Sequence, residues 1–217
     1  MTKKLIILFV AVGAICVCST RGLSQGFTDL TDTPPAAFTA QTPPAFALRT
    51  NLIYWAAIVP QATPNFGVEF GITPKITLNL IASYNPWNLK GTVDNNKKLV
   101  HFLVEPEVKY WFCERFNGHA VGLHAIYAKY NVGEYNIPLL FEKEFRYEGS
   151  AFGAGASYNY HWMLGKHFGL EFTLGIGFAY MKYDKFDCPI CSARIGQFTK
   201  SYMGPTKLGI NLIYVIK

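Results

Sequence analysis

The chain has 217 residues, of which half are apolar, 16% aromatic and only 16% charged, with 19 glycines. That composition excludes intrinsic disorder and supplies enough chain for one closed domain. The formal charge falls from +6 to +3 once Lys3, Lys4 and Arg21 leave with a cleaved leader, and no lysine or arginine cluster remains, which argues against nucleic-acid binding.

The leader is the stretch MTKKLIILFVAVGAICVCSTRGLSQG, with a charged start, an apolar run from Leu5 to Cys18, and small residues at Gly22 and Ser24. This predicts a secretory signal over residues 1–24. A lipid anchor fits poorly, because Ile15 precedes Cys16 and Val17 precedes Cys18. Residues 25–45 carry two Pro-Pro pairs among small polar residues and read as a semi-extended periplasmic linker. No later segment has about 18 consecutive apolar residues, so no helical span is predicted beyond the leader.

From Phe46 to the end, apolar and polar residues alternate in eight runs, and this segment, 46–217, is predicted to be all-β. Phe46, Leu48, Leu52 and Tyr54 share a face opposite Arg49 and Asn51. Phe66, Val68, Phe70 and Ile72 oppose Glu69. Ile76, Leu78, Leu80 and Tyr84 oppose Thr77, Asn79 and Ser83. Phe102, Val104, Val108, Tyr110 and Phe112 oppose Glu105, Glu107 and Lys109, with Pro106 inside the run expected to mark a bulge. Val121, Leu123 and Tyr127 oppose Gly122 and His124. Tyr158, Tyr160 and Trp162 oppose Ser157, Asn159 and His161. Phe168, Leu170, Phe172, Leu174 and Ile176 oppose Glu171 and Thr173. Last, Leu208, Ile210, Leu212, Tyr214 and Ile216 oppose Lys207, Gly209 and Asn211.

Connection lengths alternate. Runs two and three, four and five, and six and seven join through short turns, whereas Ile58 to Pro64, Asn85 to Val100, Asn131 to Ser150 and Lys182 to Thr206 read as long loops. All short turns then lie at one end and all long loops at the other, as in outer-membrane barrels. The prediction is an eight-stranded antiparallel transmembrane β-barrel with short periplasmic turns and longer extracellular loops. A soluble lipocalin-like barrel would turn the apolar faces inward. An eight-stranded interior is only just wide enough to be filled by side chains, and roughly thirty bulky apolar residues cannot fit there. Trp111, Phe112, Trp162, Phe168, Tyr84, Trp87, Tyr180 and Tyr183, near run ends, are expected to form interfacial girdles.

A strand running to the last residue needs a partner, and pairing with the first strand would leave no open edge. Lys207, Gly209, Leu212 and Tyr214 are spaced like the terminal assembly signal of bacterial outer-membrane barrels, although the chain ends on Lys217 and not on an aromatic. The assembly machinery that reads such signals is therefore an expected partner.

Several stretches together resemble one family of small barrels of unknown function from anaerobic gut Gram-negative bacteria: RTNLIYW near Arg49, ATPNFGVEFG ending at Gly71, SYNPWN around Pro86, EPEVKYWFCERFNGH from Glu105, AFGAGASYNYHWML from Ala151, YDKFDCPIC ending at Cys191, and GPTKLGINLIY near the end. The resemblance covers nearly the whole expected barrel. It implies an outer-membrane protein, in some cases encoded with surface-fibre genes, and carries over no catalytic residue.

The inward faces collect Arg49, Glu69, Glu105, Glu107, Lys109 and Glu171, with His124, His161 and Asn211. Buried charges persist only when paired, so a packed ionic interior is expected; a narrow polar channel and a general acid and base pair are the alternatives. Cys188 and Cys191 fall in an external loop and are expected to form a local disulfide, with free thiols, a shared metal site or a redox pair as alternatives. No histidine has a serine two positions on, so the same-face pair of lipid-modifying barrels is missing, and His101 stands alone near the outer rim. No catalytic, cofactor-binding or metal-binding residue is expected. The function expected is a structural or surface-interaction role for a monomeric barrel in outer-membrane lipid, with surface-fibre proteins as candidate partners. The alternatives are a passive channel for small or apolar solutes and, third, an enzyme acting on outer-leaflet lipid.

Overall fold

The computed structural model describes residues 45–56, 62–88, 97–136, 140–187 and 194–216. The expected leader, all but the last residue of the expected linker, and Cys188 and Cys191 lie outside them. Eight strands form: β1 (Phe46–Asn51), β2 (Asn65–Gly71), β3 (Ile76–Asn85), β4 (Lys98–Trp111), β5 (Gly118–Gly133), β6 (Arg146–Met163), β7 (Phe168–Phe186) and β8 (Arg194–Ile216), with one short helix, α1 (Leu52–Trp55). Every neighbouring pair is antiparallel, and the sheet closes in chain order. Closure is made by β8 against β1, with Phe46 opposite Ile216 and Asn51 opposite Asn211. The last strand thus finds its partner in the first.

Alternation decides what faces where, because successive side chains of a strand point to opposite faces. Leu123 is 72% exposed and Ile176 64%, while Glu69, Asn79, Lys109 and Glu171 are fully buried. The barrel therefore wears its bulky apolar residues outside and its charges inside. The connections β2–β3, β4–β5 and β6–β7 lie at one end, here the turn end; the others lie at the loop end.

The interior is layered. At the turn end Ala47, Trp111, Phe116, Ala120, Ile213 and Val215 form an apolar plug. Phe116 adopts a left-handed backbone with φ 60° in the β4–β5 turn, which costs free energy for a bulky residue and is offset here by burying its ring on Trp111. At the loop end Leu99, Val132, Tyr135, Phe141, Tyr147 and Met181 form a second apolar cluster. The charged layer lies between the two.

Five expectations need correction. The first run stops at Asn51, whose side chain accepts a hydrogen bond from the Ile53 N–H and so starts α1; Leu52 and Tyr54 leave the sheet. Trp111 does not belong to a girdle: Tyr110 and Phe112 take the outer face, so the residue between them points inward and donates from Nε1 to the Thr77 hydroxyl at 2.9 Å. Tyr183 shares the inward parity of Met181 and packs its ring on Tyr147. Pro106 marks no bulge: β3–β4 pairing runs unbroken past it, and β4–β5 pairing lapses at Glu105 and Pro106 but resumes in the same register, because the missing N–H costs rungs without adding a residue. The irregularities lie between β7 and β8, where the register shifts between Gly175 and Ile176, leaving Thr206 unpaired as a bulge in β8, and again between Lys185 and Phe186. Finally, the Lys182–Thr206 loop is largely strand, and β5 and β6 extend into the two ends of the Asn131–Ser150 loop; Tyr183 and Phe198 stack across the β7–β8 hairpin beyond the apolar band, where no alternation signals them.

Candidate functional site

Cross-lumen contacts are set by closure, and the charged layer is the densest set of them. Arg49 on β1 ion-pairs through its two terminal nitrogens with Glu69 on β2 and Glu171 on β7. Lys109 on β4 reaches the same two carboxylates, at 3.1 Å to Glu69 and 2.8 Å to Glu171. Two cations and two carboxylates, all fully buried, thus form a neutral quartet drawn from four strands. The Thr77 hydroxyl donates to Glu69 at 2.5 Å and the Thr173 hydroxyl to Glu171 at 3.2 Å. Threonine suits both places: its hydroxyl satisfies a carboxylate lone pair while its branched body fits a strand.

Glu107 anchors a second group. It pairs with Lys207 of β8 at 2.8 Å, accepts from Asn79 Nδ2 at 3.0 Å, and accepts from the Ser157 hydroxyl. The β8 bulge turns both Thr206 and Lys207 inward, so the Thr206 hydroxyl meets His124 Nε2 at 2.9 Å while Lys207 reaches Glu107. Asn159, Thr173 and Asn211 link the groups: the one Thr173 hydroxyl proton is shared between Glu171 and Asn159 Oδ1, the latter at 2.8 Å, and Asn211 Nδ2 donates to Thr173 Oγ1 at 3.1 Å.

Of the six residues predicted for an interior network, the structure brings Arg49, Glu69, Lys109 and Glu171 into one quartet and places Glu107 in the neighbouring group. Glu105 is buried but makes no ion pair or hydrogen bond among the described residues. It stands on the inward face of β4 opposite Ile81 of β3. Lys207 was foreseen only as part of the terminal signal. Its position opposite Leu208 and Ile210 already marked it as inward, and that parity was the signal for its place in the network.

His161 is buried beside Trp111 at 6.1 Å between ring centroids, and neither of its ring nitrogens finds a hydrogen-bond partner among the described residues. His101 lies near the loop end of β4, with its ring turned inward toward the Leu99 carbonyl. Gly209 faces inward and Tyr214 outward, where Tyr214 packs on Phe168 at 4.9 Å and stacks on His167. Among the described residues no three His, Cys, Asp or Glu side chains are grouped to hold a metal ion.

The layer is built to neutralise its own charge. Each carboxylate of the quartet is engaged from more than one side, so none is placed to serve as a base toward a substrate. A family model, described as a protein of unknown function, matches residues 30–216. No curated protein and no solved structure matches the chain.

Proposed function

The chain belongs to that family, DUF3575, and from this premise we propose an integral outer-membrane β-barrel with a structural or surface-interaction role, exposing its loop end to the outside. One observation carries the reading: the sheet is inverted relative to a soluble barrel, with most of the large apolar side chains of its strands exposed outside and a neutral ionic layer inside. Two levels of outer-face aromatics support it. On β7 and its neighbours, Phe168, Trp162 and Tyr214 ring the turn end, and Tyr180, Phe152 and Tyr127 ring the other level. Phe168 and Tyr180 are twelve positions apart; at about 3.3 Å per residue and a tilt of about 40°, that is about 30 Å along the normal, the height of a hydrocarbon core.

In this reading lipid covers the outer face, the turn end faces the periplasm, and the barrel assembly machinery reads the last strand. The resemblance to outer-membrane barrels of anaerobic gut Gram-negative bacteria supports the same location and makes surface-fibre proteins the first partners to test at the loop end. Fractionation should recover the protein with the outer membrane, and its gel mobility should change on heating, because a closed sheet resists detergent until heated. Recovery in the soluble periplasmic fraction with heat-independent mobility removes the proposal.

The ionic layer between two apolar plugs favours a support over a channel. Planar-bilayer recordings of the unmodified protein are expected to show no large steady conductance. A large, steady current would promote the solute-channel reading to first place.

A further inference from the structure

On the outer face of β5, β6 and β7, three rows stand in register. The first is aromatic, Tyr127, Phe152 and Tyr180; two positions further toward the loop end come Lys129, Ser150 and Lys182; two further still come Asn131, Glu148 and Asp184. Tyr127 and Phe152 stack at 4.9 Å, which fixes the lower row. The two upper rows line an open concavity of about 510 Å³. Lys129 and Lys182 are exposed and make no ion pair among the described residues. Cations nearby are engaged: Lys185 with Glu142, Arg194 with Asp184, and Arg146 over the Phe186 ring.

Two unpaired ammonium groups flank one serine. Their strands lie about 10 Å apart, and each side chain is long and flexible enough to reach a common anion between them. The row below is apolar and the row above offers amide and carboxylate groups, which accept and donate hydrogen bonds but repel a second anion. We propose that this concavity binds the headgroup of a phosphorylated glycolipid of the surrounding membrane. The phosphate sits between Lys129 and Lys182 with the Ser150 hydroxyl donating to it. The acyl chains run down the Tyr127, Phe152 and Tyr180 wall, and the sugar hydroxyls meet Asn131 and Glu148. In such a lipid the acyl chains hang from the sugar while phosphate and free hydroxyls project from its rim, so the apolar, cationic and hydroxyl-binding rows each have a group to meet. A plain phospholipid such as phosphatidylglycerol brings a small glycerol in place of the sugar. This inference rests on the membrane reading above.

The full-length protein, extracted and stripped of lipid in detergent micelles, is titrated with fluorescent phosphorylated lipid A, with the same lipid after removal of its phosphates, and with phosphatidylglycerol. Phosphorylated lipid A should bind about tenfold or more tighter than either, as expected when charge-assisted hydrogen bonds to one phosphate are added. The double variant Lys129→Ala/Lys182→Ala should lose that preference, while Lys166→Ala, an exposed lysine of the β6–β7 turn, should retain it. Both lysines project from the surface, so heat-modifiable mobility should persist in the double variant; Lys182→Gln alone gives a smaller shift in the same direction if it does not. Equal binding of phosphorylated and dephosphorylated lipid overturns the proposal, as does full retention of the preference by the double variant, tight binding of phosphatidylglycerol, or displacement by an equal concentration of inorganic phosphate. A chain that is soluble and heat-insensitive before any lipid is added fails the membrane reading instead, so the two failures are distinguishable.

Discussion

Replacing Arg49 with methionine is expected to destabilise the barrel by about 3–5 kcal/mol, the cost of leaving a buried charge without its partner. Arg49 and Lys109 together neutralise Glu69 and Glu171 in a fully buried quartet. Without the guanidinium, two carboxylates share one ammonium in a place water does not reach, and the aliphatic replacement brings no donor to either. Urea unfolding of the protein folded in detergent micelles, followed by tryptophan fluorescence, measures the loss. The double variant Arg49→Met/Glu69→Gln restores neutrality and should recover part of it. A loss below about 1 kcal/mol for Arg49→Met would mean the quartet behaves as a solvated surface pair.

Valine at Gly177 should be comparably damaging, through sterics alone. Gly155 and Gly177 face each other across β6 and β7. A Cβ at Gly177 would stand 2.3 Å from the Ala154 carbonyl oxygen and 2.7 Å from the Gly155 Cα. Both obstacles are backbone, so no rotamer change relieves them and the two strands must part. Inserting bulk into a packed site ordinarily costs about 1–3 kcal/mol, and a clash with backbone belongs at or above the top of that range. Gly196 is the control, because a Cβ there meets nothing closer than the Phe198 ring at 3.6 Å. Gly196→Ala should leave the urea midpoint unchanged, whereas Gly177→Val should lower it steeply or prevent folding. Equal midpoints for the two would show that β6 and β7 do not approach as closely as described.

Strand identity and the inside–outside division were legible in the sequence because both are local. A period of two assigns each residue a face from its neighbours alone, which is why Glu69, Glu107, Lys109 and Glu171 could be placed inward before any partner was known. Trp111 was legible by the same rule, sitting between Tyr110 and Phe112, and was misassigned because its size suggested an interface. The loop-end extensions of β7 and β8 were not legible. There polar residues occupy both faces, and pairing such as Tyr183 with Phe198 depends on a hairpin partner rather than on alternation.

Eight alternating strands, their order, and an interior too narrow for their apolar side chains are written in the chain's local pattern. Which charges meet depends on how the folded sheet closes. Lys109 and Glu171 come from strands three apart in the sheet and touch because the sheet closes. Lys207 reaches Glu107 from a strand bulged at Thr206, which also turns the Thr206 hydroxyl inward. Leu52 and Tyr54 leave the sheet because Asn51 ends the first strand with a helix cap. Alternation is a property of adjacent residues and survives any tertiary arrangement. Pairing across a lumen depends on closure, strand number and register shifts, which no short stretch of sequence contains.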